Sequence, residues 1–224
     1  NLCKLVTLGQ FEGFYYKPRI DKELLEKYNE GLICLSGCLS SELSDLAKMG
    51  DEKRLTETAS WYREVFSNDR YYIELQENGL DDQKRVNRTV LELSAKLNIP
   101  TVATNDCHYL DQADHRAHEI LLCIQTGKQF EDTSRMSFDS DQFFFKSPER
   151  MADDFREVPQ AIRNTRIIAE RCSLLLEFDQ VYMPRFDLGT GETLRDRFAK
   201  DAREGLESHL ERLIVTGELK KTRR

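Results

Sequence analysis

The amino-acid sequence predicts an α/β fold built on parallel strands, from two observations. Three short apolar segments read as strands covered on both faces, and helical patterns lie between them. The resulting order of helix, strand, helices, strand, helix, strand is βαβ alternation, which argues for a parallel sheet. Three strands do not close a barrel, so a barrel would need strands from outside this chain.

Each element has a local reason. Leu32-Ile33-Cys34-Leu35 is a short apolar run that ends at Ser36-Gly37. Residues 41–49 and 51–66 read as a helical pair, broken at Gly50. Arg70-Tyr71-Tyr72-Ile73-Glu74-Leu75 is aromatic and β-branched, the composition of a strand. Residues 82–97 carry Val86, Val90, Leu93 and Leu97 on one helical stripe. Pro100-Thr101-Val102-Ala103-Thr104 is the third strand, with proline at its first position, where the missing N–H does least harm.

After residue 110 the strand signals fade. Residues 111–125 read as a helix opened by Asp111, and Phe143-Phe144-Phe145 as a short strand. Ser147-Pro148-Glu149 combines a cap, a first-turn proline and a first-turn acid, so a helix starts there. Another runs from Pro159 to Cys172, with Ala161, Thr165, Ala169 and Cys172 on one face. Residues 178–191, with Pro184 and two glycines, read as an extended linker. Residues 193–214 read as a long helix with Leu194, Phe198, Ala202, Leu206, Leu210 and Leu213 on one stripe. A domain border is expected near residue 185, giving domains 1–184 and 185–224.

Composition narrows the class. With 39% hydrophobic and 33% charged residues the chain is globular rather than disordered. Its net charge of −7 lacks the basic excess of a module that grips nucleic acid by itself. Six cysteines without a Cys-x-x-Cys pair do not make a disulfide framework and fit a reducing, cytoplasmic setting. No apolar run reaches the ~18 residues of a membrane span. The chain starts at Asn1 and ends at Arg224 without a helix stop signal, so both ends are expected to be cuts in a longer polypeptide.

The most informative local sequence is Thr104-Asn105-Asp106-Cys107-His108-Tyr109, where the third strand ends. In extended chain, residues i and i+2 point the same way, so Asp106 and His108 converge on one point. A carboxylate and an imidazole are both good ligands for zinc or manganese. Ligands of parallel α/β folds gather at the carboxyl ends of strands. Cys38 follows the first strand and arrives at the same end, and Glu74 at the end of the second strand is a further candidate. The bland alternatives stand beside these: an Asp-x-His triplet that only hydrogen-bonds, a small buried cysteine, a half-exposed strand-end carboxylate. Cys107 points away from its neighbours and is expected to pack. His115 and His118, three apart on a helix, can hold a metal, although helix-surface histidines usually do not. Asp139 and Asp141 have the spacing of a polymerase acid pair but lie in a polar turn. No phosphate-cradling glycine motif and no serine nucleophile elbow is present.

Longer stretches carry a specific resemblance. Glu12-Gly13-Phe14-Tyr15-Tyr16-Lys17-Pro18-Arg19-Ile20-Asp21 resembles a run found in bacterial DNA polymerase III α subunits, the replicative C-family polymerases. So do residues 35–40, Ile73 to Gln76 with Asn78, Gly79 and Gln83, and residues 104–109. Residues 122–127, 145–149, 161–165 and 169–172 also match, in order, as do Met183 to Phe186 and Glu204-Gly205-Leu206. The resemblance implies the later part of a polymerase-and-histidinol-phosphatase (PHP) domain over 1–184. Residues 185–224 would be a linker and the first helix of the polymerase core.

The resemblance further implies a distorted seven-stranded TIM-like barrel with a zinc or manganese cluster at one end, on which Cys38, Asp106 and His108 fall at ligand positions. In some relatives that site is a 3′–5′ exonuclease; in others it is degenerate and docks a separate proofreading subunit. The whole protein would work with DNA, deoxynucleoside triphosphates, magnesium and other replicase subunits. Two departures stand out. No His-x-His motif occurs in this chain, and Asn78 and Ser41 replace a common histidine and glycine. Three readings result: an enzyme fragment with part of a phosphoesterase site, a non-catalytic scaffold, and a stand-alone phosphatase, which the linker and last helix oppose. An incomplete barrel would expose sheet edges, so the isolated chain is expected to be marginal or oligomeric.

Overall fold

The computed structural model describes residues 1–181, 183, 186–188 and 191–217. The chain divides into two compact units, Asn1–Ser173 and Leu174–Arg224. Pro184 and Arg185, on either side of the expected domain border, lie outside the described residues.

The first unit opens with two helices, α1 (Leu2–Phe11) and α2 (Lys22–Tyr28), ahead of strand β1 (Cys34–Leu35). Then follow α3 (Glu42–Met49), α4 (Glu52–Val65), β2 (Tyr71–Gln76), α5 (Asp81–Leu97) and β3 (Thr101–Thr104). The three strands form one sheet in the order β1-β2-β3. Both pairings are parallel, with Cys34 beside Tyr71 and Gln76 beside Thr104. The expected alternation is therefore present, with β1 shorter than its apolar run.

Local chemistry sets the helix ends. The Ser41 and Asp51 side chains accept from the backbone N–H of Ser44 and Arg54 and open α3 and α4. Gly50, at φ +71°, ends α3 in the left-handed conformation that glycine adopts without a steric penalty. The core then assembles on β2, where Tyr71, Ile73 and Leu75 are almost fully buried. They cluster with Leu43 and Leu46 of α3, Leu55 and Ala59 of α4, and Val86, Val90 and Leu93 of α5. The stripe expected on α5 is thus its buried face, and Leu97 is partly buried against the same cluster.

Beyond β3 the chain forms a 3-10 turn (Gln112–Asp114), α6 (His115–Thr126), α7 (Pro148–Asp154) and α8 (Pro159–Arg171). Asp111 and Asp114 make the reciprocal capping box that opens this helical stretch. Ser147 caps α7 as its sequence suggested. One expectation needs correcting. Phe143 to Phe145 do not form a strand; they make a single bridge, Phe144 beside Tyr109, because no neighbouring segment extends the pairing. The inner face of α8 is not the one that carries Ala161, Thr165, Ala169 and Cys172. Thr165, Ala169 and Cys172 are exposed, while Ala161 is buried and Ile162, Asn164 and Ile168 are half-buried. The reason is polar: the Asn164 side chain donates to the Thr101 carbonyl at 2.7 Å, which turns that face toward β3.

The second unit carries α9 (Leu194–Val215), capped by the Thr193 hydroxyl, which accepts from Asp196 N–H. The described residues between Leu174 and α9 hold no helix or strand. Among the described residues no helix is long and apolar enough to cross a membrane.

Candidate metal centre at the strand ends

The carboxyl end of the sheet is where the sequence placed its candidates. Asp106 and His108 follow β3 and do converge: His108 Nε2 lies 3.2 Å from Asp106 Oδ1. Each side chain keeps 34% of its exposure, open enough to meet a ligand. The loop that carries them is pinned from the far side. His108 N–H donates to the Phe143 carbonyl at 2.8 Å, and the Asn105 side chain donates to the Phe144 carbonyl at 3.1 Å. The failed Phe143–Phe145 strand therefore acts as a rail for the site loop.

The His108 ring lies in a bed of rings that local sequence did not reveal. Phe138, Phe143 and His118 have ring centroids 4.8, 5.4 and 5.4 Å away. His118 in turn packs on Tyr109, whose hydroxyl lies 3.4 Å from His115 Nδ1. Burial and the neighbouring His108 hold the His118 imidazole below the usual histidine range, against the pull of Glu119. His118 Nδ1 is buried without a hydrogen-bond partner. The three-residue spacing of His115 and His118 was the one signal of this cluster, and it brings both rings to Tyr109.

Glu119, beside His118, anchors the rest of the bed. Burial raises its carboxyl, but the Phe138 N–H and the Arg135 guanidinium outweigh that and hold it below the usual carboxylate range. The Phe138 N–H donates to Glu119 Oε1 at 3.0 Å, so this buried acid fixes the backbone under a ring that touches His108.

Glu74 is half-buried at the end of β2 and meets both neighbours. Its Oε2 accepts from Gly37 N–H at 3.1 Å, and its Oε1 accepts from the Thr104 hydroxyl. Cys38, next to Gly37, is exposed and free. Its carbonyl accepts from Ser41 N–H and the Ser44 hydroxyl, both at 2.9 Å. Cys107, expected to pack, is also exposed: its loop leaves the strand before the alternation of faces can bury it. Asp141 accepts from Gln112 at 2.7 Å in the polar turn where the sequence put it.

The donor chemistry of an Asp106–His108 pair suits zinc or manganese. Among the described residues no three histidine, cysteine, aspartate or glutamate side chains are arranged to hold a metal ion. The pair therefore supplies part of a ligand set, and the Cys38 loop is tied to the same end of the sheet without joining it.

The comparisons with known proteins bear on the whole chain. A family model described as "PHP domain" matches residues 1–78, which include β1, Cys38 and Glu74. Over 188 residues the chain is 43% identical to the DNA polymerase III subunit alpha of Treponema pallidum, covering 84% of this chain and 16% of that protein. Over most of its length the chain is thus similar to DNA polymerase III α subunits. The α subunit of Chlamydia pneumoniae is 38% identical over 231 residues, covering 90% of this chain and 18% of the relative. That of Deinococcus radiodurans is 40% identical over 204 residues, covering 88% and 15%. The chain thus spans 15% to 18% of the length of these DNA polymerase III relatives.

Proposed function

We propose that this chain is the later part of the PHP region of a replicative DNA polymerase, the catalytic α subunit, with the connection to the polymerase core at its end. In this reading β1, β2 and β3 are adjacent strands of a distorted seven-stranded barrel, completed by other parts of the polypeptide. Residues 185–224 belong to the linker and the first core helix. The full-length enzyme is a cytoplasmic nucleotidyltransferase that copies DNA from deoxynucleoside triphosphates, using magnesium at acids outside this chain, and assembles with other replicase subunits.

The strand-end site is read as a metal-dependent phosphoesterase centre of the 3′–5′ exonuclease type. Cys38, Asp106 and His108 are its ligands here, and the remaining donors come from elsewhere in the longer polypeptide. Zinc or manganese, if held by these residues and the remaining donors, would supply Lewis-acid chemistry suited to phosphodiester hydrolysis. This chain's own contribution is to hold donors in place: the Phe143 carbonyl fixes the His108 backbone, and the bed of rings limits the tilt of its imidazole. The observation that carries the reading is the 3.2 Å convergence of Asp106 and His108 at the carboxyl end of a parallel sheet.

Elemental analysis of the longer polypeptide that supplies the remaining donors, and of its Asp106→Ala/His108→Ala double variant, tests it. Zinc or manganese near stoichiometry in the first and none in the second is the expected result. Equal metal content in both sinks the ligand assignment.

A second reading is favoured by one observation: only two donors pair among the described residues. The region would then be a scaffold that docks a proofreading exonuclease subunit, its own site silent. A full-length polymerase that binds that subunit equally well with and without the double substitution, and holds no metal in either form, supports the scaffold.

A further inference from the structure

We propose that Glu74 is a positioning residue for the strand-end centre: a carboxylate on the central strand that fixes the Cys38 loop on one side and the approach to Asp106 and His108 on the other. The inference rests on the metal-site reading above and assigns Glu74 the task of placing ligands rather than acting as one.

The hydrogen bonds are specific. Glu74 sits on β2, between β1 and β3. Its two carboxylate oxygens face opposite neighbours. Oε2 takes the Gly37 N–H, one residue before Cys38. Oε1 takes the hydroxyl of Thr104, two residues before Asp106. The backbone adds to the tie, since Glu74 N–H donates to Ser36 Oγ at 2.9 Å. Gln76 Nε2 reaches Thr104 Oγ1 at 3.4 Å from the next residue on the same side of β2. One side chain thus couples all three strands near their carboxyl ends.

The chemistry requires a carboxylate. Gly37 turns at φ +84°, in the left-handed region, and this turn aims its N–H across the sheet end. An acceptor there must be strong enough to hold a loop that otherwise leaves the sheet, and a charged acceptor roughly doubles a neutral hydrogen bond. Thr104 offers a donor on the other side, so a group with two acceptor oxygens on one carbon satisfies both at once. Both oxygens are engaged with protein donors, which leaves the loop positions on either side, Cys38 and Asp106 with His108, as the groups free to face a ligand. Partners that orient ligands in this way commonly change metal affinity by about 10- to 100-fold when removed.

The test uses the longer polypeptide that supplies the remaining donors, in five forms: unaltered, Glu74→Met, Glu74→Gln, Thr104→Val and Asp106→Ala. Amide hydrogen exchange over residues 36–41 is read without metal, and zinc affinity is read by chelator competition. In Glu74→Met the Gly37 amide is expected to exchange faster and zinc affinity to fall about tenfold. Thr104→Val, which leaves the Gly37 bond in place, is expected to keep normal exchange there and lose less affinity. It also keeps the inference testable if Glu74→Met does not fold. Glu74→Gln still offers one oxygen to Gly37 but no charge, and is expected to fall between the unaltered protein and Glu74→Met in both exchange and affinity. Unchanged exchange at Gly37 overturns the inference. So does unchanged zinc affinity in Glu74→Met where Asp106→Ala has lost it. Zinc binding that is absent in the unaltered polypeptide, or equal in it and Asp106→Ala, brings down the metal-site reading itself, and the inference with it.

Discussion

β2 and α9 both carry large apolar side chains at the spacing of their element, yet they end in opposite environments. In β2 the residues from Tyr71 to Gln76 are buried except Glu74, because parallel neighbours flank it and helices cover it. In α9 none of 22 residues is buried, although Leu194, Phe198, Leu206 and Leu210 recur at helical spacing. Leu194, Phe198, Leu206 and Leu210 each keep at least 38% of their exposure, and Leu213 at the end of the stripe is half-buried. The strand is held by tertiary burial, worth roughly 1.5–3 kcal/mol for each large side chain fully removed from water. The helix is held by local terms: the Thr193 cap, and an Arg197–Asp201 pair at 2.8 Å that solvent largely screens. Periodicity announces which face an element would bury, and only packing decides whether it does.

The comparison breaks first at its buried side. Ile73→Ala removes a side chain with no exposed surface from the middle of β2 and is expected to cost ~2–5 kcal/mol in denaturant unfolding. A cost within the error of the measurement would mean that β2 is not the centre of the core.

An intermediate case is α6, where Glu119, Leu122 and Cys123 are buried while Leu121 and Ile124 stay exposed. The Glu119 carboxyl is held below the usual value, so its contribution is present above the ordinary glutamate range, near 4.5, and is lost as pH falls through the lower folded value. Glu119→Gln is therefore expected to flatten the fall in melting temperature below pH 4.5, while lowering stability at neutral pH. A variant whose acid limb parallels that of the unaltered chain would show that Glu119 is no better held folded than unfolded.

The smallest effect belongs to α9. Leu206→Ala exchanges two strong helix formers at an exposed position and is expected to move stability by no more than ~0.5 kcal/mol. A loss as large as that of Ile73→Ala would place the α9 stripe inside an interface and erase the contrast.

What the sequence by itself determined was local. The second strand, read over 70–75 and found at 71–76, the α5 stripe, the glycine stop at residue 50 and the Ser147 cap each depend on a few consecutive residues, and each is present. The Asp106–His108 convergence was legible for the same reason, since two side chains two apart on extended chain need no distant partner to share a side. The tertiary structure decided the rest. Which face of α8 turns inward depends on Asn164 finding a carbonyl 63 residues away, a polar bond that hydrophobic spacing does not encode. The bed of His108 joins residues 118, 138 and 143, and Glu74 is fixed by residues 37 and 104. Such contacts form between groups that are remote along the chain. Their positions follow from where the sheet and its loops bring them, not from the pattern of neighbours in the sequence.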